Sequence, residues 1–147
     1  MIAVIQRCSQ GKVTVSDKVV GKISNGLVIL LGVQKNDTEK DANFLVNKIS
    51  GLRIFSDEND KMNLSIKDVS GSALVISQFT LCGDTKKGRR PSFIKAATPD
   101  DGNQLYEYFM SEMKKGGVPI ESGEFGALMD VELVNNGPVT FVLNSKD

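Results

Sequence analysis

The chain of 147 residues, with 40% hydrophobic and 24% charged residues, has the length and composition of one globular domain covering residues 1–147. Its 18 basic and 18 acidic residues cancel, which argues against a protein that coats nucleic acid by neutralising phosphates but leaves room for a local basic patch. The absence of histidine excludes catalysis by an imidazole base, and two distant cysteines do not form a zinc site, so we expect neither metal nor cofactor.

The first third of the chain predicts strands joined by short turns. Residues 12–16 alternate apolar and polar side chains, and a tight connection at Asp17-Lys18 leads to a second strand over residues 19–23. Asn25-Gly26 is a strong turn signal. The five apolar residues 27–31 that follow indicate a strand covered on both faces.

Two later segments show the three- and four-residue spacing of amphipathic helices. The first follows Asp37-Thr38-Glu39, whose hydroxyl and acidic side chains suit a helix start. The second starts at Thr98 with Pro99 in the first helical position, and it ends near Gly116. The residues predicted to face the core are Ala42, Leu45, Val46, Ile49 and Leu52 in the first helix, and Leu105, Tyr108, Phe109 and Met113 in the second.

Further strands are predicted over residues 118–121, 125–134 and 139–144. Many strands with two helices, and no regular alternation of the two, indicate an α+β fold with a largely antiparallel or mixed sheet. No internal repeat or linker divides the chain, so a single domain is expected.

Cys8 and Cys82 are expected to be free thiols of a cytoplasmic protein. The N-terminus lacks the pattern of an export signal, and no apolar run is long enough to span a membrane. A nucleophilic role for Cys82 is disfavoured, because no histidine is present to activate it.

The segment Asn135-Asn136-Gly137-Pro138-Val139-Thr140 interrupts two runs that resemble strands. Proline removes a donor from a sheet ladder, and glycine weakens a strand. The segment therefore presents carbonyl groups and a rigid ring. It is either an ordinary turn or a surface that meets a ligand.

Three short motifs, taken together, resemble the D-aminoacyl-tRNA deacylases. They are Ser77-Gln78-Phe79-Thr80-Leu81 after the apolar run 73–76, Arg90-Pro91-Ser92-Phe93, and Gly137-Pro138-Val139-Thr140. The likeness runs from residues 1–7 through 53–57 and 61–64 to Phe141, nearly the whole chain. One departure is Asn136, where the family often has Asp, and either residue suits a turn.

The resemblance implies a curled, barrel-like sheet with two helices packed outside, in a homodimer that hydrolyses the ester of D-aminoacyl-tRNA. It implies that the Gly137-Pro138 peptide is cis and reaches into the partner subunit's active site. There, with Val139 and Thr140, it would reject L-amino acids. Selection by exclusion predicts breadth across D-amino acids and passage of achiral glycine, such as glycyl-tRNA mischarged on tRNA(Ala). The expected partner is the aminoacylated 3′ end of tRNA, with no membrane and no DNA.

The resemblance places the catalytic site at Ser77, Gln78, Phe79 and Thr80. We expect backbone N–H groups around residues 78–80 to bind the oxyanion, Gln78 to hydrogen-bond the ester or ribose, and Ser77 to support the loop. Phe79 either packs inside or stacks on the terminal adenine. No Lys, Asp or Glu lies within three residues of Thr80, so we favour water attack assisted by the neighbouring ribose hydroxyl over a Thr80 nucleophile.

A basic concentration follows the catalytic motif in a segment that Gly88 and Pro91 mark as loop. It consists of Lys86, Lys87, Arg89 and Arg90, with Lys95 close behind. The alternatives are an ordinary solvated surface and a set of phosphate contacts to the acceptor end of tRNA.

Other functions stay open at this point. One is an RNA-binding module without turnover, which would use Phe79 and the basic loop. Another is a hydrolase of small esters with Thr80 as nucleophile, and a third is a dimeric scaffold in which Gly137-Pro138 is only a turn. Ester turnover with and without tRNA, together with the effect of replacing Thr80, separates them.

Overall fold

A computed structural model describes residues 1–147 as eight strands, two α-helices and a short 3-10 helix. In chain order these are β1 (Ile2–Val15), β2 (Lys18–Ile23), β3 (Gly26–Gly32), α1 (Glu39–Gly51), β4 (Phe55–Ser56), β5 (Met62–Leu64), β6 (Ser72–Ser77), the 3-10 helix (Phe79–Cys82), α2 (Pro99–Lys115), β7 (Ile120–Ser122) and β8 (Asp130–Asn144). The strands predicted for the first third of the chain and both predicted helices are confirmed.

Strand β1 lies at the centre of the main sheet. The strand order is β2-β1-β3-β6-β7, and β8 pairs along the remaining edge of β1. β1 runs antiparallel to β2, β3 and β8, whereas β3 with β6 and β6 with β7 are parallel pairs. The sheet is therefore mixed, and β4 and β5 form a separate small hairpin.

The main sheet curls until β2 approaches β7. A Cβ atom added to Gly21 would lie 2.4 Å from the backbone oxygen of Ser122, so only glycine permits this approach. The backbone N–H of Lys22 donates to Oε1 of Glu121 at 3.3 Å. The predicted fold class, a barrel-like mixed sheet with two packed helices, is confirmed.

Strand β8 differs from the prediction of two separate strands. It pairs with β1 on both sides of the Gly-Pro step, with Thr140 opposite Gln6 and Asn135 opposite Cys8. Residues 136–139 therefore stand opposite Arg7 alone and form a bulge. We call residues 136–139 the bulge below.

The strand predicted from Phe125 was wrong over its first five residues, because β8 begins only at Asp130. Residues 124–127 form a turn instead, closed by a hydrogen bond from the Ala127 N–H to the Glu124 carbonyl at 3.2 Å. Gly126 has a φ of +78° in this turn, a conformation that favours glycine.

Both helices begin at the predicted threonine caps. Thr38 forms a reciprocal capping box with Asp41 at the start of α1, and Thr98 caps α2 with Pro99 in the first turn. Neither helix is long and apolar enough to cross a membrane.

The predicted inward face of α2 packs against the core, with Tyr108 only partly buried, and the buried Tyr106 was missed. Tyr106 belongs to the 3.6-residue stripe of Leu105, Phe109 and Met113, and its hydroxyl donates to the Val75 carbonyl at 2.9 Å. Tyr108 lies at the border of that stripe. It is half-buried, and its hydroxyl donates to Oδ1 of Asn43 at 2.8 Å.

Buried apolar side chains form two clusters on opposite faces of the sheet. The larger contains 22 residues and joins both helices to the sheet through residues such as Ile5, Leu45 and Phe109. The smaller contains Cys8, Val13, Ile23, Val28, Leu74 and Ile76. Because alternate residues of β3 enter different clusters, both faces of this strand are covered, as predicted.

A polar network ties the end of the chain to the start of α1. Asp41 accepts hydrogen bonds from the Thr38 N–H at 2.8 Å and from Oγ of Ser145 at 2.7 Å, and it pairs with Nζ of Lys146 at 2.9 Å. Burial alone would raise the pKa of Asp41, but these hydrogen bonds outweigh it and hold the pKa well below its usual range.

We expect Asp41→Asn to destabilise the protein by about 1–3 kcal/mol at pH 7, because a buried charged acceptor is removed. The folded-state pKa lies below the unfolded value of about 4. The stability that the carboxylate contributes is therefore present above about pH 4 and is lost as the pH falls through the lower, folded-state pKa. Urea unfolding of both proteins across this range measures the difference.

The matched control is Asp101→Asn, at the equivalent position of α2. Asp101 is exposed, so its replacement should change stability much less. Equal losses for the two variants, or a difference for Asp41→Asn that grows on acidification, would contradict the account of this network.

Candidate active site

A cleft of about 650 Å³ opens beside the carboxyl ends of β3 and β6. Its walls include the end of β6 and the residues that follow it, the segment leading into α2, the first turn of α2 and the turn before β8. Most wall residues are apolar, and no Asp, Glu, Lys or Arg is among them. Nowhere do three or more His, Cys, Asp or Glu side chains form a cluster that could hold a metal ion.

Ser77, Gln78 and Phe79 line this cleft, as their position after an apolar strand predicted. The Gln78 N–H, however, donates to the Leu31 carbonyl at 2.8 Å. This hydrogen bond extends the pairing of β6 with β3 by one residue. The expectation that the Gln78 N–H binds the oxyanion was therefore wrong.

The backbone N–H groups of Phe79 and Thr80 make no hydrogen bond within the protein. They are the first two donors of the 3-10 helix, where no preceding turn supplies an acceptor. The site thus offers two adjacent, unpaired donors from residues that are themselves exposed.

The surroundings of the Thr80 hydroxyl supply no general base. Its oxygen accepts a hydrogen bond from Nε2 of Gln78, and an amide nitrogen does not take up a proton. Thr80 itself does not line the cleft, and the cleft wall beside it has no ionisable side chain that could act as a base.

Phe79 is an exposed aromatic side chain, with 56% of its surface accessible. Its ring meets the ring of Phe93 edge to face, with centroids 5.0 Å apart and an interplanar angle of 64°. The alternative that Phe79 packs in the core was therefore wrong.

Cys82, in the same 3-10 helix, is buried, and its Sγ lies 3.5 Å from the Val33 carbonyl oxygen. Burial raises the pKa of this thiol, which keeps it protonated and unreactive at neutral pH. Burial likewise raises the pKa of Cys8 to about 11, and both cysteines are free.

The Gly137–Pro138 peptide bond in the bulge is cis. Gly137 has a φ of +133°, and a Cβ at this position would lie 2.7 Å from Cγ2 of Val139 and 3.1 Å from Nη2 of Arg7. Only glycine fits this backbone. Pro138 and Thr140 are exposed, whereas Val139 is buried and anchors the bulge.

Arg7 holds the bulge, and sequence reasoning missed it. Arg7 is only 9% exposed, and its Nε donates to the Asn136 carbonyl at 3.0 Å while its Nη1 donates to the Ile54 carbonyl at 2.8 Å. A usable signal was present, because Arg7 continues the inward-facing alternation of Ala3 and Ile5.

Asn135 closes the bulge from its other side. Its Oδ1 accepts from the Val139 N–H at 2.9 Å, and its Nδ2 donates to Oγ1 of Thr140 at 2.9 Å. Side chains on both flanks therefore fix the conformation of the exposed Gly137-Pro138 step.

The basic residues at positions 86–90 lie in the loop that follows the 3-10 helix. The backbones of Asp84 and Ser92 exchange hydrogen bonds of 2.8 and 2.9 Å, which closes the base of the loop. Lys86, Lys87, Arg89 and Arg90 are all exposed. Neither this loop nor residues 137–140 line the cleft of their own chain, so within one chain neither set joins Ser77, Gln78 and Phe79 in the cleft wall.

Comparison with known proteins gives matches over nearly the full chain. A family model described as D-Tyr-tRNA(Tyr) deacylase matches residues 4–144. The D-aminoacyl-tRNA deacylase of Thermotoga petrophila is 54% identical over 145 residues, covering 99% of this chain and 97% of the relative. The protein of the same name from Bacillus thuringiensis is 53% identical over 146 residues, covering 99% and 100%.

Two solved structures share the fold. One is titled c-Myc DNA Unwinding Element Binding Protein, with a TM-score of 0.93 and 37% identity over 98% of both chains. The other is a probable eukaryotic D-amino acid tRNA deacylase, with a TM-score of 0.81 and 18% identity over 97% of this chain and 98% of that one. The sequence matches define the class as a hydrolase of ester bonds. The chain belongs to the D-Tyr-tRNA(Tyr) deacylase family, and the resemblance seen in its motifs is confirmed.

We expect Phe79→Ala to change the free energy of unfolding by less than about 1 kcal/mol, because most of this ring already contacts water. The control is Phe109→Ala, which removes a fully buried ring and should cost about 3–5 kcal/mol. Denaturant unfolding of both variants measures this. A large loss for Phe79→Ala would show that its ring supports the fold.

Proposed function

We propose that the protein hydrolyses the ester bond of D-aminoacyl-tRNA at this cleft and releases the D-amino acid and the tRNA. The observation that carries the proposal is the pair of unbonded N–H groups of Phe79 and Thr80 beside a cleft without ionisable walls. Two fixed donors side by side suit the oxyanion that forms when an ester carbonyl is attacked. The names of its full-length relatives support the same reaction.

The nucleophile is a water molecule oriented by the neighbouring hydroxyl of the terminal ribose. Its oxygen attacks the ester carbonyl carbon, and the electron pair of the C=O bond moves to the oxygen held by the two N–H groups. When the intermediate collapses, the C–O bond to the ribose breaks, and the ribose oxygen takes the proton lost by the water. Gln78 hydrogen-bonds the ester or ribose, and Ser77 supports the loop. An activated ester needs little beyond this positioning.

Selection against L-amino acids falls to Gly137, Pro138, Val139 and Thr140 of the partner subunit. Within one chain these residues lie outside the cleft, so a second copy is needed to bring them to it. Arg7 and Asn135 hold the step rigidly, and its carbonyl groups would receive the substrate's amino group and exclude an L side chain. Many D-amino acids and glycine, including glycyl-tRNA mischarged on tRNA(Ala), would pass.

A homodimer is supported by the surface of β8. This strand exposes four large apolar side chains, which are Val131, Val134, Phe141 and Val142. Exposed apolar patches on soluble proteins mark interaction surfaces. Since β8 also carries the bulge, a second copy seated on this strand would place Gly137-Pro138 at the interface.

The partner of the site is the 3′ end of aminoacylated tRNA, which also implies action in the cytoplasm. In this proposal Phe79 stacks on the terminal adenine, and the exposed Lys86, Lys87, Arg89 and Arg90 contact phosphates of the acceptor end. One similar structure is titled a DNA unwinding element binding protein. The zero net charge of this chain argues against general binding to DNA.

The decisive test is release of tyrosine from D-Tyr-tRNA and L-Tyr-tRNA, with the wild-type protein beside Pro138→Ala. We expect the wild type to cleave only the D ester. The variant should also cleave the L ester, because the rigid ring that fixes the excluding carbonyl groups is lost.

Pro119→Ala, which replaces a proline outside β8, serves as the control and should keep full discrimination. If the wild type cleaves neither ester faster than the ester hydrolyses spontaneously, the proposed enzymatic function is wrong. The RNA-binding module is then the hypothesis to test. If Pro138→Ala still discriminates between the two esters as the wild type does, Pro138 is not needed for selection against L-amino acids.

We expect Thr80→Val to keep kcat on D-Tyr-tRNA within about tenfold of wild type, because the backbone N–H remains and only one hydroxyl hydrogen bond is lost. Single-turnover kinetics measures this. Near-complete loss of activity would identify Thr80 as the nucleophile, and cleavage of small D-amino acid esters without tRNA would then be the next expectation.

A further inference from the structure

We infer that Phe93 and Ile94 form a platform for the penultimate nucleotide of the tRNA 3′ end, next to the position of the terminal adenine. The inference rests on the proposed function and specifies how the same site takes its substrate. We call these two side chains, with the ring of Phe79, the apolar platform.

The three side chains of the platform leave much of their apolar surface exposed. Ile94 is 71% exposed, Phe93 38% and Phe79 56%. Because the edge of one ring meets the face of the other, the two aromatic side chains cover one another only in part. Rings left open to water next to a binding cleft offer flat faces on which bases stack.

The backbone under the platform is fixed in advance. The Phe93 carbonyl accepts the Ala96 N–H at 3.0 Å, and the Lys95 carbonyl accepts the Lys35 N–H at 2.9 Å. The paired backbones of Asp84 and Ser92 stand immediately before Phe93. Binding of a nucleotide here would therefore cost little conformational entropy of the protein.

Charge on both sides of the platform suits a sugar-phosphate backbone. Lys95 follows Ile94 directly, with Nζ 3.7 Å from Oδ2 of Asp84 and its side chain mostly exposed. The basic loop of residues 86–90 precedes Phe93. Exposed aromatic rings interleaved with cations are typical of proteins that bind single-stranded nucleic acid.

The positions of these side chains relative to the cleft assign Phe93 and Ile94 to the penultimate base of the tRNA and not to the terminal adenine. Phe79 and Phe93 line the cleft, whereas Ile94 does not, so the platform leads outward from the ester. If the terminal adenine stacks on Phe79, the next base outward contacts the side chains of Phe93 and Ile94. Stacking tolerates any base, which is sufficient for an end whose sequence is the same in all tRNAs.

The test compares two small substrates, the D-tyrosyl ester of adenosine and the D-tyrosyl ester of cytidylyl-adenosine. For the wild type we expect KM to be lower for the dinucleotide ester by roughly tenfold, the contribution of one stacked base. Ile94→Ala and Phe93→Leu should remove most of that advantage. Ile94→Ala should leave kcat and the KM for the adenosine ester unchanged, because Ile94 does not line the cleft.

Val19→Ala is the matched control, because Val19 is a similarly exposed apolar residue on β2. It should keep the full preference for the dinucleotide. Equal KM values for the two esters in the wild type, or equal effects of Ile94→Ala on both esters, would overturn the platform. So would a change of oligomeric state in Ile94→Ala, measured by sedimentation, which would assign the surface to the subunit interface.

If neither these esters nor D-Tyr-tRNA is cleaved, the proposed function fails, and the platform is tested by binding alone. Calorimetry with cytidylyl-adenosine and adenosine gives the same comparison without turnover. Tighter binding of the dinucleotide that is lost in Ile94→Ala would retain the platform, and equal binding of the two would refute it.

Discussion

The structure depends on the way strand β1 uses both of its edges and both of its faces. One edge pairs with β3 and then β2, and the other pairs with β8 along nearly its full length. Because alternate residues must then face inward, Arg7 is buried in register with Ala3 and Ile5. A buried guanidinium without acceptors would cost several kcal/mol. The bulge in β8 provides one acceptor, the Asn136 carbonyl, so the arginine and the bulge each stabilise the other.

The lack of charge in the cleft is consistent with the chemistry we propose. A preorganised donor to an oxyanion contributes about 2.7–4 kcal/mol, whereas a general base contributes about 10²–10⁴-fold in rate, or roughly 3–5 kcal/mol. Two backbone donors, at Phe79 and Thr80, therefore reach at least the effect of one base, and an aminoacyl ester is already activated. Walls without ionisable groups also hold less water and lower the local dielectric, which strengthens the interaction of those donors with a developing negative charge.

The features that could be predicted from the sequence are those that depend on residues close together in the chain. The turn at Asn25-Gly26 and the caps at Thr38 and Thr98 are decided by a few neighbouring residues. What was missed depends on partners far along the chain. Arg7 and Asn136 are 129 positions apart, and the occupation of the Gln78 N–H follows from how far β6 pairs with β3. The positions of the site motifs after their strands were visible in the sequence, but the separation of the bulge from the cleft was not.

That separation gives the dimer a specific purpose under the proposed function. D- and L-amino acids differ only in where the side chain leaves Cα, so a site that attracted the side chain would become narrow in substrate range. A rigid main-chain obstacle avoids this narrow substrate range, because it excludes any side chain that leaves Cα in the L direction, whatever the chemistry of that side chain. Gly137 is restricted to glycine by its φ and by the close approach of Val139 and Arg7, so the obstacle is built from backbone. Since Arg7 and Asn135 of the same chain already hold it, the proposed dimer would bring a preformed filter to the cleft, and no ordering energy would be spent when substrate binds.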